Sequence, residues 1–333
     1  MIDVLFLCCD DWANTGWRMM KAVQTLGLKV MGFKGNPHVF GYPEQLVILS
    51  EIANTKPFSA LSLNNLAENT KVIHFIASTY IDTGVDLSQH HVVVNHGGRV
   101  YRENSVACNG FFNRFADAAI CQTPDLLGLG ANNEHLIYFP VDTDNLKPVY
   151  KEKGVLTIGH FPSIPWKGTG IINGVIDSLA KKHELEYVSS GKDDRTIWLE
   201  QLDRIRHCDI LIDNIAVTAK YADASPQEFK YGTWGNVSME AAALGKVPVS
   251  CALDLDVYQR EYGDCGITVA NDADQLYDAL ERLLLMKSDE FVLEQMKARR
   301  WVEEKHSLKA TGRRLWDKVY KPFFESTPET GGK

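Results

Sequence analysis

Short apolar runs rich in β-branched residues alternate with amphipathic stretches along the whole chain. Parallel strands are covered on both faces and read as near-continuous apolar runs, so this alternation predicts parallel sheets clothed by helices. In the first half it predicts strands over 4–9, 29–33, 72–77, 91–95, 118–122 and 136–139, with helices over 16–26, 61–68 and 105–115. In the second half it predicts strands over 155–161, 185–189, 209–213, 247–251 and 266–269. Their partner helices are expected over 168–183, 195–207, 237–244 and 273–286. Two such series predict an α/β protein with two Rossmann-like domains. A polar, turn-forming run over 141–148 and the charged 151–154 mark the seam between them. The expected division is a first domain over 1–150 and a second over 151–307. A C-terminal helix over 308–325, with no strand left to follow it, is expected to pack back onto the first domain, and the polar tail 326–333 to fray.

A length of 333 residues suits two domains better than one core. The apolar share of 45% and charged share of 23% are those of an ordinary globular protein. A formal net charge of -8 argues against a generic polyanion-binding surface. No apolar run approaches bilayer length, and the first residues lack a signal peptide's basic start and cleavage site, so the expected location is cytoplasmic with no transmembrane segment. The seven cysteines show no metal spacing. Cys8, Cys9, Cys121, Cys208 and Cys251 lie in or beside apolar runs and read as reduced core thiols. Among ten histidines there is no HExxH-type pair, so neither a metal site nor a cofactor is expected.

Ligands of open α/β sheets bind at the carboxyl ends of the strands, so chemistry is sought in the loops that follow them. The stretch from Asp10 to Arg18 contains no GxGxxG. It reads equally as a surface turn capped by Asn14 or Thr15, or as a ligand loop that Gly16 opens and that Trp12 and Trp17 flank. Next, Asn95-His96-Gly97-Gly98-Arg99 closes an apolar strand; a histidine before two glycines points to hydrogen bonding with a substrate. Arg99 and Arg102 either meet an anionic acceptor or form a solvated basic edge, the commoner fate. The loop Gly159–Gly170 contains Ser163 and places Lys167-Gly168 at a helix start, where an ammonium and helix amides could share an anion.

The stretch from Tyr231 to Ser250 carries the most information. Glycines 232 and 235 open a helix, Glu240 sits one turn inside it, and Gly245 stops it before an apolar strand. Amides of Gly235, Asn236 and Val237 would then hold an anion at a helix N-terminus, with Trp234 beside them. Glu240 stands in an otherwise apolar helix, and a buried carboxylate without a partner is costly, so a ligand hydroxyl or a nearby donor must satisfy it.

Together these segments resemble the retaining glycosyltransferases of family 4, which have the GT-B fold. The resemblance rests on Ile158–Ser163 with Lys167-Gly168-Thr169, on Asp209–Asp213, on Gly232–Pro248, and on Ala116–Pro124 with Phe139–Pro148. It implies two domains facing a cleft, with the nucleotide sugar on the second and the acceptor on the first. It also implies a diphosphate contact at Lys167, a ribose contact at Glu240, and a base held near Ser190, Gly191 and Lys192. His96 would lie near the transferred sugar. Gly16 is counted with the donor side, and Trp12, Trp17, Arg99 and Arg102 with the acceptor side. The donor would be a UDP-sugar first, with GDP- and ADP-sugars open, used without metal or cofactor. Two positions depart from the family: Gly232 stands where a first glutamate is usual, and Ser163 lies near the place of an arginine. The competing readings are an epimerase or phosphorylase-like enzyme of the same fold, and a non-catalytic sugar-nucleotide-binding protein. The acceptor stays open among a glycan, a lipid, a protein, a small metabolite and a hydroxylated base in DNA.

Overall fold

A computed structural model describes residues 2–52, 60–163, 167–190, 196–220 and 228–325. Gly191, Lys192 and the tail 326–333, on which expectations fall, lie outside the described residues.

The first sheet has seven strands: β1 (Ile2–Cys8), β2 (Val30–Lys34), β3 (Val47–Ile48), β4 (Thr70–Phe75), β5 (His91–His96), β6 (Ala118–Cys121) and β7 (Glu134–Leu136). They are all parallel, in the order β3-β2-β1-β4-β5-β6-β7. Helices α1 (Thr15–Gln24), α2 (Leu49–Ile52), α3 (Ala60–Glu68) and α4 (Gly98–Phe112) fall between the strands. Alternation along β1 shows why an unbroken apolar run is needed. Val4, Phe6 and Cys8 enter one core with Met19, Ala22 and Val23 of α1, while Leu5 and Leu7 enter another with Phe112 of α4. Helix α4 begins at Gly98, earlier than the expected 105, because two helical stretches join across a kink at Asn104 (φ -130°, ψ 29°). Strand β7 ends at Leu136, short of the predicted 139.

The second sheet is also parallel. It consists of β8 (Leu156–His160), β9 (Leu185–Ser189), β10 (Ile210–Ile212), β13 (Val247–Ser250) and β14 (Thr268–Val269), ordered β14-β13-β10-β8-β9. Between β10 and β13 lies an antiparallel pair, β11 (Val217–Lys220) with β12 (Glu228–Tyr231), which the alternating pattern did not announce. The helices are α5 (Thr169–Leu179), α6 (Trp198–His207), α7 (Asn236–Ala243), α8 (Leu255–Tyr262), α9 (Ala273–Leu285) and α10 (Ser288–His306).

The chain then returns to the first unit. Helix α11 (Leu308–Leu315), a π-helical turn over Trp316–Tyr320 and α12 (Lys321–Glu325) place Leu315, Val319 and Tyr320 in the core that holds Phe6. One compact unit is therefore Met1–Pro140 with the chain from Ser307 onward, and the other is Val141–His306. The polar stretch 141–150 is bound to the second unit: Val141 donates its amide to His306 at 2.8 Å, and Arg299 donates to the carbonyls of Leu146 at 2.6 Å and Thr143 at 2.8 Å.

Buried titratable groups set the acid response of the first unit. His74 is fully enclosed, with Nδ1 2.5 Å from the Tyr320 hydroxyl, and burial pushes its pKa down to about 3. Burial does the same to His96, also to about 3. Asp11 goes the other way. Burial raises its carboxyl to about 6, although the amides of Gly16 (2.6 Å) and Trp17 (3.1 Å) bond to it and the charges of Lys34 and Arg18 pull it down. Asp11 thus caps α1 from outside, in place of the expected Asn14 or Thr15; Asn14, the N-cap residue, makes no side-chain cap bond.

Both histidines are neutral when folded and protonate when unfolded, so their contribution is present above pH 6.5 and is lost as pH falls toward 3. Between pH 7 and pH 5 each should cost about 2 kcal/mol. Asp11 binds its proton more tightly folded than unfolded, so the same acidification returns about 1 kcal/mol through it. Urea titrations at the two pH values are expected to find the protein less stable at pH 5, and Asp11→Asn should deepen that loss by about 1 kcal/mol. Equal wild-type stability at both values would refute the assignment of neutral buried histidines.

Candidate functional site

Read from its other edge, the second sheet runs β9-β8-β10-β13-β14, an order that reverses between β8 and β10. Ligands of open α/β sheets bind at such a switch point, outside the carboxyl ends of the strands. The loops after β8 and β10 meet the N-terminus of α7 there.

His160, the last residue of β8, ties two of these segments together. Its Nδ1 lies 2.9 Å from the Ile212 carbonyl oxygen and its Nε2 2.9 Å from the Thr169 hydroxyl. A carbonyl only accepts, so Nδ1 carries the proton and Nε2 accepts from Thr169. Burial holds this imidazole below its ordinary pKa, which keeps it neutral. Gly168 then caps α5 in the left-handed region (φ +74°), a conformation that glycine adopts without strain. Lys167, just before it, is only 7% exposed.

The Lys167 ammonium makes a buried ion pair with Asp213, the residue after β10. Asp213 Oδ2 also accepts from the Gly235 amide at 2.7 Å and the Ser238 hydroxyl at 2.8 Å. Gly235 is the N-cap of α7, so this carboxylate rests at the positive end of the helix dipole. Burial alone would raise the Asp213 carboxyl. The Lys167 charge and the three donors outweigh that and hold it below the usual carboxylate range. The structure brings Lys167 and the glycine loop to one anion site, and the anion found in it is the chain's own.

Glu240 lies one turn further along α7, 4% exposed. Its Oε1 accepts the indole N–H of Trp198, from the start of α6, at 3.0 Å. The nearby donor that a carboxylate in an apolar helix demands includes this tryptophan, which the sequence did not single out. Gly232 has a packing reason to be glycine: a β-carbon there would overlap the Leu253 side chain, and Leu253 donates its amide to the Gly232 carbonyl at 2.8 Å. Asn214 joins the surrounding loops, donating to the Thr233 carbonyl at 2.9 Å and accepting the Cys251 amide on its own carbonyl at 3.0 Å. Burial pushes the Cys208 and Cys251 thiols up to about 12, so both are unreactive.

The remaining donor-side candidates are spread around this centre. Asn236 and Val237 are the first two residues of α7 and half-buried. Trp234 is buried, edge-on to Tyr258 at 4.8 Å and to Trp301 at 6.2 Å, as a packing residue. Ser163 is exposed in the loop after β8, and Ser190 follows β9 with its amide 3.3 Å from the His160 carbonyl. Gly16 belongs to the first unit, where its amide bonds to Asp11 at 2.6 Å.

In the first unit His96 is wholly buried at the end of β5, its ring stacked on Tyr101 at 3.9 Å. Nδ1 lies 2.9 Å from the Ser78 hydroxyl, and Nε2 has no partner among the described residues. Neither amide atom of the adjacent, fully buried Asn95 has one either, and two such neighbours in a row are unusual. Arg102 is engaged by Asp125 at 2.5 and 3.1 Å and by Thr123 at 3.0 Å, and Arg99 pairs with Glu103. Trp17 is half-buried against the core with Lys21 5.7 Å from its ring, whereas Trp12 is 55% exposed. The first sheet reverses order between β1 and β4. Following these strands, Ala13, Asn14, Ala77 and Ser78 all adopt left-handed backbone (φ 54° to 58°), each at a cost of about 1–3 kcal/mol.

Among the described residues, no group of three or more histidine, cysteine, aspartate or glutamate side chains is placed to hold a metal ion, and no helix is long and apolar enough to cross a membrane. No family model matches the sequence, and no curated protein does. Solved structures do match the fold. Anabaena HepE, in complex with UDP and glucose, aligns with a TM-score of 0.60 at 12% identity, over 96% of this chain and 100% of that one. AviGT4, a glycosyltransferase involved in avilamycin A biosynthesis, gives 0.55 at 13% identity, over 98% and 99%. The trehalose-6-phosphate synthase OtsA gives 0.54 at 10% identity, over 98% and 99%. The fold is thus of the GT-B type: two parallel-sheet α/β domains.

Removing one member of a buried ion pair leaves the other uncompensated. Lys167→Met is therefore expected to destabilise the second unit by about 3–5 kcal/mol in chemical denaturation, and Lys167→Met with Asp213→Asn to recover most of that loss. A single variant as stable as wild type would mean that Asp213 is not ionised in the fold.

Proposed function

We propose that this protein is a glycosyltransferase that moves a sugar from a nucleoside diphosphate donor to a hydroxyl-bearing acceptor, without a metal ion. The observation that carries the reading is the start of α7 at the switch point of the second sheet, with an anion held on Gly235 and a buried carboxylate, Glu240, one turn beyond. A helix N-terminus suits phosphate, and a carboxylate at that depth suits ribose hydroxyls. The match to HepE, whose structure holds UDP and glucose, supports a UDP-sugar as the donor.

In the reaction the bond from the anomeric carbon to the diphosphate oxygen breaks and a bond from that carbon to the acceptor oxygen forms. The acceptor's proton leaves with the diphosphate. Developing negative charge on the leaving group is met by the first-turn amides of α7, among them Asn236 and Val237, and by the Lys167 ammonium. Retention of configuration follows from the resemblance of Gly232–Pro248 and Lys167–Thr169 to the family 4 enzymes.

One observation favours a second reading, a sugar-nucleotide-binding protein without transfer: the Lys167 charge is already matched by Asp213. Donor hydrolysis in the absence of acceptor separates the two. A thermal-shift screen of UDP, GDP, ADP and their sugars should find a stabilising nucleotide, and no response to any would end both readings. With the responding sugar nucleotide, Glu240→Ala is expected to reduce turnover by about a hundredfold or more. Full activity in that variant would remove Glu240 from the site.

A further inference from the structure

The anion site at the start of α7 is complete without a ligand. Gly235 contributes an amide at 2.7 Å, Ser238 a hydroxyl at 2.8 Å and Lys167 its ammonium, and all three donate to Asp213. This carboxylate has no exposed side-chain surface, and Lys167 keeps it ionised despite burial. Its place in the fold is distinctive. Asp213 directly follows β10, one of the two strands that flank the switch point, and its own amide is fixed to the Val249 carbonyl at 2.9 Å. The backbone amide is therefore anchored, and release of the carboxylate is a turn of the side chain.

We infer that Asp213 is a built-in occupant of the phosphate site, and that a nucleoside diphosphate binds by displacing its carboxylate from Gly235, Ser238 and Lys167. This rests on the reading of the α7 loop as the donor site. Charge decides the matter. A diphosphate bound beside an ionised Asp213 would face a like charge within hydrogen-bonding distance, at a place where burial strengthens the repulsion. If the carboxylate rotates away instead, Lys167 and the Gly235 amide pass from one oxyanion to another, and the cost falls on the Ser238 hydroxyl and the displaced carboxylate, which must take new partners. The exchange also explains how Lys167 can be both paired in the free protein and needed for the leaving group. Affinity for the donor is then reduced by the work of releasing Asp213, and the site answers to anions that bond to these donors better than a carboxylate does.

The inference is tested by calorimetric titration of the whole chain with UDP, GDP and ADP, and with the corresponding nucleosides. Asp213→Asn keeps the shape and an acceptor for the Gly235 amide but removes the competing charge. It is expected to bind the responding diphosphate about tenfold tighter or more, with the nucleoside unchanged. Binding equal to or weaker than wild type overturns the inference and leaves the donor reading standing, since wild type still binds. If neither protein binds any diphosphate, the donor reading fails and the inference with it. Should the variant not fold, a crystal structure of the wild-type chain with the bound diphosphate decides. A phosphate oxygen on the Gly235 amide, with Asp213 turned off it, is expected; Asp213 still bonded to Gly235 and Lys167 overturns the inference.

Discussion

The second unit is organised by one buried carboxylate. Asp213 draws the Lys167 ammonium, the Gly235 amide and the Ser238 hydroxyl to one point, and so fixes the approach to α5 and the end of β10 against the start of α7. Such a pair is a poor source of stability, because desolvating two charges costs several kcal/mol per ion, and an apolar pair of similar volume often serves the fold as well or better. What the pair provides is geometry. A small displacement of any of the three donors would leave a charge or a polar group unpaired in the interior, so they can share only a narrow set of positions. His160 and Asn214 extend the same constraint to α5 and to the loop after β13, again through hydrogen bonds and not through apolar contact.

The first unit uses the same device with a different outcome. Asp11 also lies just beyond a switch-point strand and also receives amides from a helix start, those of Gly16 and Trp17. Its carboxyl is nevertheless raised to about 6, while that of Asp213 is lowered. Burial is severe at both. The contrast lies in the cation: Lys167 is in hydrogen-bonding contact with Asp213, whereas Lys34 and Arg18 act on Asp11 through space and Lys34 spends its ammonium on Gln45 at 2.6 Å. Two helix amides therefore do not offset the burial of a carboxylate, but two donors and a contacting ammonium do.

This contrast also explains what the sequence disclosed. The parallel sheets were legible because strands buried on both faces carry unbroken apolar runs, as Val4–Cys8 of β1 and Val92–Val94 of β5 do. Glu240 was legible because an acidic residue inside Val237–Ala243 interrupts an otherwise apolar helix start-to-end run, and interior carboxylates need partners. Asp213 carries the same signal, an acid closing the apolar Ile210-Leu211-Ile212, yet it reads as an ordinary strand end, since that is where chains leave a sheet for water. Pairings between distant positions were not legible at all. Trp198 and Glu240 are forty-two positions apart, and nothing in the local composition of either names the other. The start of α4 lay far from its expected place: the helix was expected from Ser105, whereas the fold carries it back to Gly98 across a kink at Asn104.

Gly232 illustrates how a departure from a family pattern can be structural before it is functional. With Leu253 lying where a β-carbon would go, a side chain enters at this position only if the Leu253 side chain gives way. The family that the chain resembles carries a glutamate at this position, whereas the carboxylate found at the start of α7 here is Asp213, from the end of β10, bonded to the Gly235 amide.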